Sequence, residues 1–310
     1  MCCLFGILDY GNTLTVRQRT KALSILASSC EIRGTDATGI AYNTDSHLTI
    51  YKRPKAAHKM WFRLPMDANV IMGHTRMTTQ GNEKFNQNNH PFYGKVGNTP
   101  FALAHNGMLM NDDELQKKYR LPKTNIETDS YVAVQLLERQ TDLSFESMAK
   151  VAEELEGSFT LSMLDNTNNV YFIKGNNPLC LYYWRERNLY IYASTEEILK
   201  SALARIPYDF GIAEHIEINE GDMMKISPSG ARETSQFSLQ NLYAYGYYGY
   251  PYRWLDEWDI EPKETGRSYK DILKSMAHTF GYTAEDVDTL LAEGFTLQDI
   301  EDFFYEGVYC

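Results

Sequence analysis

Several things are missing from this chain, and each absence removes a class of protein. No apolar run approaches the roughly 20 residues needed to cross a bilayer. The N-terminus has no basic-then-apolar signal pattern, so a cytoplasmic protein with no membrane partner is expected. Basic charge is not in excess: 30 Lys and Arg stand against 41 Asp and Glu, a net of −11. The electrostatic footprint of a nucleic-acid binder is therefore absent. Cysteines are few and unpatterned, at 2, 3, 30, 180 and 310, which argues against a disulfide framework and for a reducing compartment. There is no short-spaced ligand pair of the kind structural zinc uses, and no Gly-x-x-x-x-Gly-Lys phosphate loop. Neither a metal nor a cofactor is expected.

What is present is a globular composition, 43% hydrophobic and 23% charged over 310 residues, enough for one or two domains. The acidity is uneven. From Leu255 onward there are 14 acidic and 4 basic residues, a net of −10, so the preceding part carries only −1 of the total −11.

The periodicity predicts a strand over 2–8, a helix over 16–30 and a hairpin over 39–52. Short apolar strands at 69–74 and 101–105 each run into a polar cluster. Helices follow at 112–119, 129–139 and 144–155. Strands are expected at 159–164, 170–173, 179–184 and 189–193, then a helix over 195–204 and strands at 215–218 and 222–226. Hairpin-linked strands flanked by helices indicate antiparallel sheets with helices on their outer faces, an α+β class. Three regions are expected: a main domain over 1–235, a Tyr-rich linker or surface segment over 236–265, and an acidic three-helix module over 266–310. In that module Thr283 and Thr296 sit three residues before Asp286 and Asp299, an approximate capping box in each copy of a 13-residue repeat. Val287, Leu290 and Leu291, like Ile300, Phe303 and Phe304, make one apolar face per helix. The module is loosely similar to ubiquitin-associated-type bundles. It reads as a docking or dimerisation element, or equally as a cap on the main domain.

The chemistry begins at Cys2. Cysteine is small enough for an initiator methionine before it to be removed, which would put a thiol and a free α-amine on one residue. The thiolate is the nucleophile, and an amine titrating near 8 can take its proton. Alone, a cysteine in an apolar first strand is as easily a small core residue. Four polar clusters strengthen the reactive reading: Arg33 to Gly39, Gly73 to Gly81, Asn89 to Phe92 with Ala104 to Asn111, and Thr128 to Ser130. A thiolate cleaving a side-chain amide needs donors for the oxyanion, and Asn106 with Gly107 can supply two. It also needs the substrate held by its ends. Arg76 can clamp an α-carboxylate, Asp129 can pair with an α-ammonium, and Thr79 can add a hydroxyl.

The ordered set Met-Cys-x-Leu-Phe-Gly, Arg-Gly-x-Asp-x-x-Gly, Gly-His-Thr-Arg-x-x-Thr, His-Pro-Phe, His-Asn-Gly-x-x-x-Asn and Asp-Ser resembles the class II glutamine amidotransferase domain, an N-terminal-nucleophile hydrolase. The resemblance covers about residues 2–235. It implies a four-layer αββα sandwich of two antiparallel sheets and hydrolysis of glutamine through a γ-glutamyl thioester. It implies Cys2 as nucleophile and base, Asn106 and Gly107 as the oxyanion hole, and Arg76, Thr79 and Asp129 around the substrate. Arg33 and Asp36 are expected to pair and fix their loop. His74, His90 and His105 are expected to be structural or to support the site from behind. Cys3 stands where the family usually has Gly, and Met77 where aromatics are common. Only about 75 residues follow the domain, too few for a fused synthetase. The expectation is a glutaminase subunit passing ammonia to a separate ligase or synthase, docked through 266–310. Alternatives are a hydrolase of γ-glutamyl peptides such as glutathione and, less favoured, a non-catalytic binding protein.

Overall fold

The computed structural model describes residues 2–45, 47–240 and 282–295, with single positions at 270, 274, 277 and 300. Two compact units divide the chain, 1–252 and 253–310.

The larger unit is built on two antiparallel sheets. The first holds seven strands in the order β11-β9-β10-β1-β4-β2-β3. In chain order these are β1 (Cys3–Asp9), β2 (Ala37–Thr44), β3 (His47–Arg53), β4 (Val70–Arg76), β9 (Cys180–Trp184), β10 (Leu189–Ala193) and β11 (Glu214–Ile216). The second holds six in the order β13-β12-β8-β7-β6-β5: β5 (Phe92–Val96), β6 (Thr99–Leu109), β7 (Gly157–Asp165), β8 (Val170–Lys174), β12 (Asp222–Ile226) and β13 (Arg232–Gln236). The nucleophile's strand β1 lies inside the first sheet, flanked by β4 and β10.

Side-chain alternation along the strands makes the layers. On β1, Cys3, Phe5 and Ile7 join a core with Leu23 and Leu26 of helix α1 (Val16–Ser29) and Leu199 of α5 (Glu196–Arg205). Leu4 and Leu8 point the other way, into a core shared with Ala102, Ala104 and Phe172 of the second sheet. Leu103, Leu161 and Ile173 leave that sheet's far face to meet α3 (Tyr131–Glu138) and α4 (Phe145–Ala152). Helix, sheet, sheet, helix is the order of layers, as the resemblance implied. The helices begin where capping chemistry says they should. Thr15 and Gln18 form a reciprocal capping box, and the Ser144 and Thr195 hydroxyls accept from Ser147 N and Ile198 N.

Most predicted elements occur, with ends shifted by one to three residues. Two differences matter for the site. β6 runs on to Leu109, so His105, Asn106 and Gly107 lie within a strand and not in the loop after it. β7 pairs with β6 along its whole length, whereas β5 pairs only as far as Leu103. The motif end of β6 therefore has one edge not taken by β5. Likewise His74 to Arg76 belong to β4, paired with β1 on one side and β2 on the other. No helix is long and apolar enough to cross a membrane among the described residues.

In the smaller unit, a helix over Ala284–Ala292 is capped by Thr283, with Asp286 closing the box. Val287 packs with Ala277 and Ile300, and Leu290 and Leu291 lie against them. Of the helix expected from Ser268 only Lys270, Lys274 and Ala277 are described, and the second capping box at Thr296 and Asp299, most of the Tyr-rich segment and Phe303 and Phe304 lie outside the described residues.

Candidate active site

One concavity is lined by Cys2, Arg76, Met77, Thr79, Gln80, His90, His105, Gly107, Thr128, Asp129 and Ser130. The fold thus brings together the start of β1, the end of β4 and the loop after it, the end of β6 and the entry to α3. Three of the four polar clusters thus meet the N-terminal motif, while the Arg33 to Gly39 cluster does not line the concavity.

Cys2 is almost wholly buried, at 8% exposure. Its Sγ donates to the Met77 carbonyl at 3.5 Å. Burial pushes the thiol up; the Met77 bond and the Arg76 charge only partly oppose this. The resting form is therefore the thiol, and a base must take its proton before it can attack. Arg33 Nε donates to the Cys2 carbonyl at 2.9 Å. Asp36 Oδ2 accepts from Thr78 N at 2.7 Å. Each of this pair thus holds a different wall of the site. Gly39 of the same motif is needed for close approach, because a β-carbon there would lie 2.1 Å from the His90 carbonyl oxygen.

Gly107 lines the concavity, and its φ of +137° is a conformation that side chains rarely adopt. Asn106, fully buried, sits just behind that wall. Its Nδ2 donates to Ser194 Oγ at 3.3 Å, and Oδ1 has no hydrogen-bond partner among the described residues. Ser194 Oγ also accepts from Leu4 N at 2.9 Å. One hydroxyl thus ties the nucleophile's strand to the asparagine of the opposite sheet.

At the far end, Asp129 Oδ2 accepts from Leu109 N at 2.6 Å, and Oδ1 lies 3.3 Å from the Ser130 hydroxyl. Ser130 Oγ in turn lies 2.7 Å from His105 Nδ1. Arg76 is 2% exposed, and Nη1 donates to Asn89 Oδ1 at 2.7 Å. Its Nη2 donates to the carbonyls of Gln80 and Gly81. Thr79 belongs to the loop these bonds hold.

The three histidines stack behind the concavity and at its edge. His74 and His90 have ring centroids 4.2 Å apart, and His90 and His105 are 6.4 Å apart. Burial lowers all three, His74 to about 3. They are neutral imidazoles at physiological pH. His74 Nε2 meets the His105 carbonyl at 3.0 Å, while neither ring nitrogen of His90 has a hydrogen-bond partner among the described residues. Among the described residues no group of three or more His, Cys, Asp or Glu is disposed to hold a metal ion.

Cys3, the departure at the nucleophile's neighbour, turns away from the site. Fully buried, it packs with Phe5, Ile7 and Cys30 on the α1 side of the sheet. Three contributors were missed in the sequence reading. Ser130 and Asn89 stood inside recognised clusters with no role assigned, and Ser194 stood in a segment read only as a strand end.

Comparison with known proteins agrees with this geometry. Residues 74–201 match the family described as "Glutamine amidotransferase domain". Glutamine–fructose-6-phosphate aminotransferase (isomerizing) from Staphylococcus aureus is 34% identical over 190 residues, 58% of this chain and 30% of that protein. Its Staphylococcus epidermidis counterpart is 32% identical over 188 residues, with the same shares. The chain spans 30% of the length of these curated relatives. The fold is that of glutamine phosphoribosylpyrophosphate amidotransferase from B. subtilis, with a TM-score of 0.60 at 19% identity over 77% of this chain and 50% of that one. The allosteric regulatory enzyme of purine biosynthesis gives 0.61 at 20% identity over 81% and 53%. Motif order, sheet architecture and sequence likeness converge: residues 74–201 match the glutamine amidotransferase domain, and the two-sheet fold is that of the glutamine-dependent amidotransferases compared above.

Proposed function

We propose that this chain hydrolyses the side-chain amide of glutamine through Cys2 and passes the ammonia to an acceptor enzyme on another chain. The observation that carries the reading is the single concavity in which Cys2, Gly107, Arg76 and Asp129 meet. Glutamine is also named in the staphylococcal relatives.

Loss of Met1 frees the Cys2 α-amine, which takes the thiol proton. The thiolate adds to the side-chain carbonyl carbon. The Gly107 N–H and an Asn106 amide hydrogen stabilise the oxyanion, the kind of contact worth roughly 3–4 kcal/mol in acyl transfer. The ammonium of Cys2 returns its proton to the leaving nitrogen, the C–N bond breaks and ammonia departs. Water, deprotonated by the same amine, attacks the γ-glutamyl thioester and releases glutamate and the thiol. Arg76 and Asp129 hold the α-carboxylate and α-ammonium, with Thr79 beside them. Arg33 and Asp36 fix the walls, and the buried histidines support Arg76 and Asp129 from behind. The acidic residues 266–310 are the proposed docking element for the acceptor.

The test uses purified protein whose intact mass shows Met1 removed. Glutamate release from glutamine, and a mass shift on Cys2 with a γ-glutamyl diazoketone, are expected. Neither glutamate nor adduct, alone or with candidate acceptors, would overturn the reading.

A further inference from the structure

Among the described residues, the side chain that hydrogen-bonds Arg76 is neutral. Arg76 Nη1 donates to Asn89 Oδ1 at 2.7 Å, while the Gln80 and Gly81 carbonyls take Nη2. A guanidinium presents five N–H donors in one rigid plane. Acceptors on both terminal nitrogens fix that plane and leave other N–H groups for a ligand.

Asn89 is built to be such a fixed point. It is fully buried. Its Nδ2 donates to the Glu83 carbonyl at 2.7 Å. Its own carbonyl accepts from Lys52 Nζ, which also reaches the Pro91 carbonyl at 3.0 Å. Lys52 lies on β3 and is held against the Phe92 ring, 4.9 Å from its centroid. The amide is therefore locked from both ends, with its oxygen on Arg76. A carboxylate in its place would orient the arginine as well, but would also neutralise it. The acids that act on Arg76, namely Asp129, Asp36 and Glu83, do so through their charge, while its hydrogen bonds go to Asn89 and to the Gln80 and Gly81 carbonyls.

We infer that Asn89 is a positioning and specificity residue: it aims the Arg76 guanidinium while leaving its charge to the α-carboxylate of the substrate. The inference rests on the reading of Arg76 given under the proposed function. Lys52 sets the position of Asn89 in turn.

The experiment compares glutamine with 4-aminobutanamide, which is glutamine without its α-carboxylate. The ratio of kcat/KM for the two measures what the carboxylate contributes in wild type, Asn89→Ala and Asn89→Asp. A charge-assisted hydrogen bond of this kind corresponds to a ratio falling on the order of tenfold in Asn89→Ala. The fall is expected in KM for glutamine, with turnover of 4-aminobutanamide kept. Asn89→Asp, nearly isosteric, is expected to lower the ratio further, because its charge competes with the substrate. A merely structural asparagine predicts the opposite order, with the aspartate close to wild type and the alanine losing both substrates equally; either result overturns the inference. The aspartate variant alone decides the matter if the alanine fails to fold. A wild type indifferent to the carboxylate overturns the Arg76 reading together with this one. A discriminating wild type with equally discriminating variants overturns only the role of Asn89.

Discussion

The Arg33 guanidinium donates from Nε to the carbonyl oxygen of Cys2 at 2.9 Å. The arginine of the second motif thus holds the main chain of the residue that bears the nucleophile. Attack geometry is sensitive to displacements of about 1 Å, which can cost on the order of a hundredfold in rate. Arg33→Met is expected to lower kcat for glutamine by roughly ten- to a hundredfold while KM changes little. A rise in KM with kcat intact would show that Arg33 serves substrate binding instead.

Ser194 accepts from Leu4 N of the strand beside its own and from Asn106 Nδ2 of the opposite sheet. Ser194→Ala strands a buried N–H on the nucleophile's strand, a loss of about 1–3 kcal/mol in stability. It also frees the amide of Asn106. Denaturant midpoint and kcat should both fall. Unchanged stability would mean that Leu4 N finds another acceptor.

Gly107 has a φ of +137°, and a β-carbon there would lie 2.1 Å from the Ser158 carbonyl oxygen. Gly107→Ala is expected to destabilise the protein by about 1–3 kcal/mol through strain and overpacking in β6 and β7. Urea unfolding measures this, and an alanine variant as stable as wild type would contradict the strand pairing at this position.

The buried histidines set an acid limit on stability. Burial lowers His74 to about 3 and also lowers His90 and His105. In the unfolded chain histidine titrates near 6.5. The unfolded state therefore binds more protons than the folded state below that point. The stability due to keeping these rings neutral is fully present above about pH 6.5 and is lost as pH falls toward 3, at up to ~1.4 kcal/mol per pH unit for each ring. Urea midpoints should already decline between about pH 6.5 and 5, above the range where most carboxylates titrate. A flat profile there would mean the rings are protonated in the fold.

Asp129 accepts from Leu109 N and lines the concavity together with Arg76. Asp129→Asn removes the charge offered to an α-ammonium. Turnover of glutamine should fall toward that of glutaramic acid, which lacks the amine. Glutaramic acid itself should be turned over no worse than by wild type. A parallel loss on both substrates would place Asp129 in strand support only.

How much was legible before the fold is clearest at particular residues. The β1, α1 and α2 (Asp112–Tyr119) segments were readable because a short apolar run ending in a turn and helical spacing are local signals. Strand β5 was not read because only Phe92 stood in a polar cluster and the four residues after it, with Gly94 and Lys95 among them, are too short a pattern to mark a strand. The extension of β6 through Asn106 was hidden because a strand can carry polar residues where only one neighbour pairs with it. Asn89 gave no sign of its bond to Arg76, since it lies 13 positions further along a loop with no period to relate them.

By itself the sequence determined the kind of chemistry: a cysteine at position 2, donors for an oxyanion and two charged handles, in an order that resembles one family. It also determined the layers, because hydrophobic period decides which face of each element is buried. The tertiary structure alone decided what each polar group bonds to. It turned Cys3 toward α1 and Cys2 toward the site, gave Arg33 to the Cys2 carbonyl, and put Ser194 between the sheets. Those outcomes depend on strand order and register between segments up to 190 residues apart. Local pattern carries no information about such pairings, because they are selected by the packing of the whole domain.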